Sequence, residues 1–425
     1  MNGKEFFVSS LAMNCHLLQR GTLGKSGILF PLLFGVIIFI ASTSPLFAEE
    51  TQPRDILEFL GALTEKQVET VAVNENSFLI PLKRKIDATV DPQSKCYFVL
   101  LKEISSQEKE VLSDAADGHW DHFDLLRASL IIEGVCDSEK IKKYEERLDR
   151  IADKIKEQAK NNPKVEGNKE ELTRLIFENL HTELLTGEYN IENTNPADSF
   201  ETGNYNCVSA TVLFNSLAKR VGLDVCGLEM SGHVLSRAKY GTRVADLETT
   251  CPGWFSQKNN REVQKVAKPE IDNTEYRTNE LVQISRKTRE ITDVQLVAAI
   301  YYNQGYDHWQ ANRLPESTVA TAKALLLDPE NENAWGNLVG AVNNIALGFS
   351  MEQKRHDIAA GLLDQIELMD PGFKDLKSNQ FHVYSPWIKE LVAAEQIADA
   401  KSVYNYAAQR LPNEPRMKQL EKLIQ

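Results

Sequence analysis

The sequence predicts an α+β protein in which helical segments surround a short antiparallel sheet. Apolar residues recur at helical spacing up to residue 221, strand-type runs follow within residues 224–249, and helical patterns return over residues 292–425. A helix that leads into strands joined by tight turns is typical of the α+β class. With 425 residues, the chain is long enough for two or three domains.

The first 48 residues have the pattern of an export segment. Lys4, Arg20 and Lys25 precede an apolar run at residues 28–41, and small residues lead to Ala48 before an acidic start. If this segment is not cleaved, its length approaches the roughly 20 apolar residues that a membrane span requires. We therefore expect an exported chain, periplasmic or otherwise extracytoplasmic, with either a cleaved signal peptide or a retained membrane anchor.

Composition argues against several functional classes. The formal charge is −13, from 61 acidic and 48 basic residues, which suits the phosphate backbone of nucleic acids poorly. The six cysteines are too few for a disulfide scaffold, and none forms a C-x-x-C pair. We therefore expect no nucleic-acid partner, no metal site and no cofactor.

Residues 49–165 are predicted to form a mostly helical region. Apolar residues indicate one helix near residues 125–131, and the turn residues at 161–168 mark a linker at the end of the region. The clearest helix runs through residues 140–156, where four apolar residues share one face: Tyr144, Leu148, Ile151 and Ile155.

Residues 166–290 are predicted to combine helices with a sheet. A strong helix signal covers residues 207–221, where Asn206 can cap the start and Gly222 can end the helix. Strand-type runs separated by tight turns follow at residues 224–230, 233–239 and 242–249.

Residues 292–425 have the pattern of a helical repeat. Trp335 follows Tyr301 by 34 residues, which is the period of the tetratricopeptide repeat. Proline-ended segments recur along the region, with an insertion of about eight residues near residues 348–353: Pro329, Pro371 and Pro412. Small residues lie where the two helices of a repeat cross: Ala359 and Ala400.

One cysteine, one histidine and one aspartate lie where nucleophilic catalysis can use them. Cys207 occupies the first turn of a predicted helix, where backbone N–H groups and the positive helix end stabilise a thiolate. His233 begins the second predicted strand, and Asp246 lies on the third. Adjacent antiparallel strands would bring His233 and Asp246 side by side, so we expect the carboxylate to orient the imidazole that activates Cys207.

Other residues near these three have several interpretations. Cys251 directly follows the third strand and can be a core residue, a disulfide partner or a second thiol near the site. Glu229 and Glu248 flank the site, and we expect them on a solvated strand face, with binding of a cationic or amide substrate as the alternative. A metal site formed by Cys207, His233 and Cys251 lacks the closely paired ligands that zinc sites show.

The motifs around these residues resemble the transglutaminase-like superfamily, a branch of the papain-like thiol fold. The resemblance covers about residues 120–255 and rests on residues 206–211, on Gly232-His233-Val234 and on residues 246–250. Within this superfamily, the sequence is similar to a bacterial subfamily that often carries C-terminal tetratricopeptide repeats. The resemblance implies Cys207 as nucleophile, His233 as general base and acid, and Asp246 as the orienting carboxylate.

The resemblance also implies an oxyanion hole and two alternative functions. We expect the Cys207 backbone N–H as one oxyanion donor and Asn204 or Asn206 as the second. The first function is an exported thiol enzyme, an amide hydrolase or acyl transferase that acts on peptide or protein substrates. The alternative is an inactive scaffold that binds protein partners through the repeats of residues 292–425.

Overall fold

The structure is a computed structural model that describes residues 36–39, 77–82, 97–102, 104–255 and 288–425. It is an α+β protein, as the sequence predicts. The described residues divide into two compact units, one formed by those up to Ile104 together with residues 304–425, and the other by those within residues 105–303. Apart from residues 36–39, the predicted export segment lies outside the described residues, as does Cys96.

Among the described residues, three short strands precede the helices. They are β1 (Val36–Phe39), β2 (Ser77–Leu82) and β3 (Tyr97–Lys102), and they pair antiparallel in the order β1-β3-β2. The prediction of a mostly helical region covers residues 49–165, and the strands β2 and β3 within it were not predicted, because short apolar runs do not distinguish a strand from a buried helix. In the described parts of the chain, no helix combines the length and the apolar character needed to cross a bilayer.

The unit of residues 105–303 contains a series of helices before its sheet. They are α1 (Ser106–Asp114), α2 (Leu125–Ile132), α3 (Ser138–Lys160), α4 (Lys169–Glu183), α5 (Pro196–Glu201) and α6 (Cys207–Arg220). A single 3₁₀ turn, Ala115–Asp117, follows α1. The helix predicted over residues 140–156 is confirmed as part of α3, and its four apolar residues are buried.

The sheet of this unit has four antiparallel strands in the order β6-β5-β4-β7. They are β4 (Asp224–Met230), β5 (His233–Tyr240), β6 (Arg243–Leu247) and β7 (Arg289–Ile291). The three predicted strands are confirmed, whereas β7 was not predicted. Gly232 and Gly241 occupy the connecting turns with φ of 72° and 71°, a backbone conformation that glycine adopts without steric cost.

Helix α6 forms the centre of this unit. Its residues from Val208 to Ala218 are buried, and it packs against β4 and β5 as well as against α2, α3, α4 and α5. A helix enclosed by neighbours in this way belongs to the core. Because α6 is held on every side, its first residue, Cys207, has a fixed position.

The C-terminal region is helical, as predicted. It comprises α7 (Asp293–Gln310), which contains the boundary between the units, and then α8 (Leu314–Leu327), α9 (Glu332–Gln353), α10 (His356–Met369), α11 (Leu376–Ala393), α12 (Ile397–Arg410) and α13 (Met417–Ile424). Consecutive helices from α8 to α12 pack against each other. Ala359 and Ala400 are fully buried, and a Cβ on Gly305 would lie 2.7 Å from Thr321 Oγ1. Helices α7 and α8 therefore approach each other closely at Gly305.

Candidate active site

Cys207 is held at the start of a capped, buried helix. The Asn206 side-chain oxygen accepts hydrogen bonds from the backbone N–H groups of Val208 at 2.8 Å and Ser209 at 3.0 Å. The Ser209 hydroxyl accepts in return from the Asn206 N–H at 2.9 Å, which completes a capping box. The predicted cap is therefore confirmed, and it places the Cys207 side chain at the positive end of α6.

His233, the first residue of β5, links Cys207 to a carboxylate. Its Nε2 atom lies 2.7 Å from Glu248 Oε2, and its side chain also hydrogen-bonds to that of Cys207. Burial alone would lower the pKa of His233, but the hydrogen bonds to Cys207 and Glu248 outweigh it and raise the pKa to about 10. An imidazolium therefore lies beside the thiol at neutral pH.

Glu248 is a buried carboxylate with a complete set of partners. Its residue is 5% exposed, and Oε1 accepts hydrogen bonds from both the N–H and the hydroxyl of Thr250. Burial would raise the pKa of Glu248, but hydrogen bonds from His233 and Thr250 lower it below its usual value. A hydrogen bond of 3.1 Å between the Thr249 and Thr211 hydroxyls joins the Glu248 segment to α6.

The predicted pairing of His233 with Asp246 is wrong. The register of β5 and β6 places Asp246 opposite Arg237, whose guanidinium donates to both carboxylate oxygens at 2.6 and 2.8 Å. Arg237 follows His233 by four residues, which corresponds to about 13 Å along a strand. Asp246 therefore cannot orient the imidazole, and Glu248, expected on a solvated face, takes that position.

The sequence contained a signal for this exchange. Strands β5 and β6 form an antiparallel pair joined by a turn near Gly241. In such a pair, the residue numbers of opposite positions add up to a constant. The constant is 483 here, because Arg237 lies opposite Asp246. Extending this register by one residue places Glu248 opposite Leu235, diagonal to His233 on the same face of the sheet. Counting from the turn would have favoured Glu248 over Asp246.

The two predicted oxyanion donors have structural roles. Asn206 is 1% exposed, and its amide nitrogen donates to the Ile191 carbonyl at 3.0 Å and to Thr194 Oγ1 at 2.7 Å. The Asn204 side-chain oxygen accepts from the Glu188 N–H at 2.9 Å, which fixes the loop before α6. The amide group of Asn206 is thus used in the fold, whereas the Cys207 N–H in the first turn of α6 and the Asn204 amide nitrogen stay predicted oxyanion donors.

An apolar rim that the sequence reading missed lies beside the thiol. Tyr189 is 50% exposed, and burial together with the charges of Cys207 and Glu248 raises its pKa to about 12. Ile191, two residues further on, is 63% exposed. Both lie in the loop that joins α4 to α5. We call these two exposed residues, Tyr189 and Ile191, the rim; Tyr189 lies near Cys207, and the Ile191 carbonyl accepts a hydrogen bond from the side chain of Asn206, the residue before Cys207.

The remaining candidates lie outside the hydrogen-bonded chain. Glu229 pairs with Arg289 at 2.6 Å. Cys251 is a half-buried free thiol, as Cys226 is, and Cys136 is an exposed one. Within the described ranges, no cluster of three or more His, Cys, Asp or Glu side chains could hold a metal ion.

Comparisons with known proteins leave the chemistry to be argued from geometry. No protein-family model, curated protein or solved structure matches the chain significantly. The functional argument therefore rests on Cys207, His233 and Glu248 and on the elements that hold them.

Proposed function

We propose that the protein is a thiol enzyme that cleaves an amide or transfers its acyl group. The observation that carries this proposal is the chain of hydrogen bonds from the Cys207 thiol through the His233 imidazole to the buried Glu248 carboxylate. A nucleophile, an acid–base group and an orienting carboxylate in this arrangement support acyl transfer.

The reaction has two stages, in which Cys207 is first acylated and then released, and His233 acts first as an acid and then as a base. The Cys207 thiolate attacks the carbonyl carbon of an amide and forms a C–S bond, while the carbonyl oxygen becomes an oxyanion. The His233 imidazolium gives its proton to the leaving amine as the C–N bond breaks, which leaves a thioester on Cys207. Neutral His233 then takes a proton from the attacking water or amine, and the thioester opens to release the Cys207 thiolate. Glu248 holds the imidazole throughout.

The class of substrate and the family are part of the same proposal. The rim of Tyr189 and Ile191 offers apolar contact to a peptide or protein substrate, with water as the acyl acceptor in hydrolysis and an amine in transamidation. The helix–sheet order around Cys207 supports a transglutaminase-like core, and the buried alanines of α10 and α12 support tetratricopeptide-type repeats that bind a protein partner. We also propose that the chain is exported and that it is anchored in a membrane if its N-terminal segment is retained, and both proposals are based on the sequence pattern of residues 1–48.

Alkylation of the full-length chain tests the nucleophile directly. We expect iodoacetamide at neutral pH to modify Cys207 at least about tenfold faster than Cys136, although Cys136 is more exposed, because the imidazolium maintains a thiolate. Peptide-level mass spectrometry measures both rates in one sample. His233→Ala should bring the Cys207 rate down to that of Cys136, and Cys207→Ala should abolish any amidase activity.

Equal rates at Cys207 and Cys136 in the unmodified chain would contradict the proposal. That result would leave the scaffold alternative, in which the helices after residue 292 bind a partner and the thiol has no catalytic role.

A further inference from the structure

A second cleft lies at the opposite end of α6 from Cys207. It encloses about 510 Å³, within the range of small-molecule sites, which is about 300–1,000 Å³. Its walls include Trp120 and Phe123 before α2, Ser216 in α6 and Asp293 at the start of α7. Ser216 follows Cys207 by nine residues, or about 14 Å along the helix axis. The cleft is therefore separate from the candidate active site.

Three polar atoms on the wall of this cleft are buried and have no hydrogen-bond partner within the described protein. They are Trp120 Nε1, Ser216 Oγ and Asp293 Oδ1. Ser216 as a residue is only 2% exposed. Native proteins satisfy nearly all buried polar groups with protein, water or ligand partners, so three such atoms around one cleft point to partners from outside the protein.

The charges around the cleft favour a neutral ligand. The Lys219 ammonium is paired with Asp293 Oδ2, and the Arg220 guanidinium contacts Asp124 at 2.9 Å and Asp149 at 2.8 Å. Both cations are thus neutralised by carboxylates, and an anionic ligand would have to compete with them. The unpaired atoms comprise an N–H donor, a carboxylate acceptor and a hydroxyl that can do either.

We propose that this cleft binds a neutral amide that carries an apolar side chain. The amide carbonyl accepts from the Trp120 indole N–H, and the amide N–H donates to Asp293 Oδ1. Ser216 bonds to a further polar atom of the ligand, while Phe123 and the Trp120 ring contact the apolar group. This inference does not depend on the proposed function, because none of these residues belongs to the Cys207 site.

Binding of N-acetyl-leucinamide to the full-length chain tests the proposal. We expect saturable binding, measured by tryptophan fluorescence or ligand-observed NMR, and binding about tenfold weaker for N-acetyl-leucine and leucinamide, which carry a charge. Trp120→Phe and Ser216→Ala should each weaken binding about threefold to tenfold, the value of one hydrogen bond. Ser236→Ala is the matched control, because the Ser236 hydroxyl is also buried and unpaired but lies on β5, outside the cleft.

Further measurements distinguish a peptide segment from a free small amide as the ligand, and they define the result that would overturn the proposal. Tighter binding of an acetylated, amidated tetrapeptide with a central leucine would identify a peptide segment as the ligand, and equal or weaker binding would identify a free small amide. Retained binding in Cys207→Ala would confirm that the cleft is distinct from the thiol. The proposal is overturned if N-acetyl-leucinamide does not bind saturably, or if Trp120→Phe and Ser216→Ala both leave its affinity unchanged.

Discussion

The protonation state of His233 determines what Cys207 can do. Burial of an imidazole favours its neutral form, yet the charges of Cys207 and Glu248 hold the proton on it. Because the pKa of His233 is about 10, the imidazolium persists through the neutral range. A thiolate nucleophile and the acid that protonates the leaving amine can therefore be present together.

This coupling predicts an unusual pH dependence of alkylation. Between pH 8 and pH 6, a free cysteine thiol in solution loses most of its thiolate, and its alkylation slows roughly 50- to 100-fold. Cys207 should change less than about threefold, because its proton partner stays charged over the whole interval. Iodoacetamide rates measured by mass spectrometry at both pH values check this. A decrease of about 50-fold or more in the Cys207 rate between the two pH values would contradict the ion pair.

Amide cleavage should respond to alkaline pH in a definite direction. The raised pKa of His233 means that its acid form is present below about pH 10 and is lost as the pH rises through that value. Activity that needs a proton for the leaving amine should therefore decline above about pH 10. The stability of the fold should change with pH in the same direction. A group whose pKa rises on folding stabilises the folded state fully below its pKa in the unfolded chain, and this contribution is lost as the pH rises through its pKa in the folded chain.

Two carboxylates close together in sequence provide a matched test of the orienting role. Glu248→Gln removes the charge beside His233, and we expect the Cys207 alkylation rate at pH 6 to fall at least about tenfold, because the imidazolium that stabilises the thiolate loses its carboxylate partner. Asp246→Asn disturbs only the pair with Arg237, and the rate should stay within twofold. A larger loss in Asp246→Asn than in Glu248→Gln would restore the original assignment.

At the scale of elements, the N-terminus of α6 couples stability to the site. Asn206→Ala removes a cap, and it also deprives Thr194 of its bond to the Asn206 amide. We expect the free energy of unfolding to fall by about 2 kcal/mol, at the upper end of cap losses. Asn168→Ala, which removes the exposed cap of α4, should cost about 1 kcal/mol.

Urea denaturation measures both variants, and alkylation separates their effects on the site. Asn206→Ala should also slow Cys207, since the cap fixes the first turn of α6, whereas Asn168→Ala should leave that rate unchanged. If both variants lose equal stability and neither slows Cys207, the cap does not position the thiol.

The elements differ in how far local sequence could predict them. Helix α6 and strands β4 and β5 were predictable, because a capping residue, an apolar stripe and glycine turns occur together there. Strand β7 has only three residues, too few for alternation to show. The partner of His233 depended on strand register, and the rim at Tyr189 depended on the path of a loop across the start of α6. Both are set by tertiary contacts rather than by local pattern.

At the scale of the whole molecule, the two compact units can be perturbed separately. Ala400 is fully buried in α12, where consecutive helices pack closely, and Ala398 lies exposed on the same helix. Ala400→Leu should destabilise the unit that contains residues 304–425 by about 1–3 kcal/mol, the usual cost of overpacking. Ala398→Leu adds the same side chain to solvent and should change stability by less than about 0.5 kcal/mol.

Native-state hydrogen exchange locates the effect. In Ala400→Leu, peptides from α10 to α12 should exchange faster, because local opening of that unit becomes easier, while peptides from α6 and the Cys207 alkylation rate stay as in the unmodified chain. Asn206→Ala should show the reverse pattern. Faster exchange in α6 on substitution of Ala400 would mean that both units open together, and helices α8 to α13 could then influence the thiol through stability alone, without binding anything.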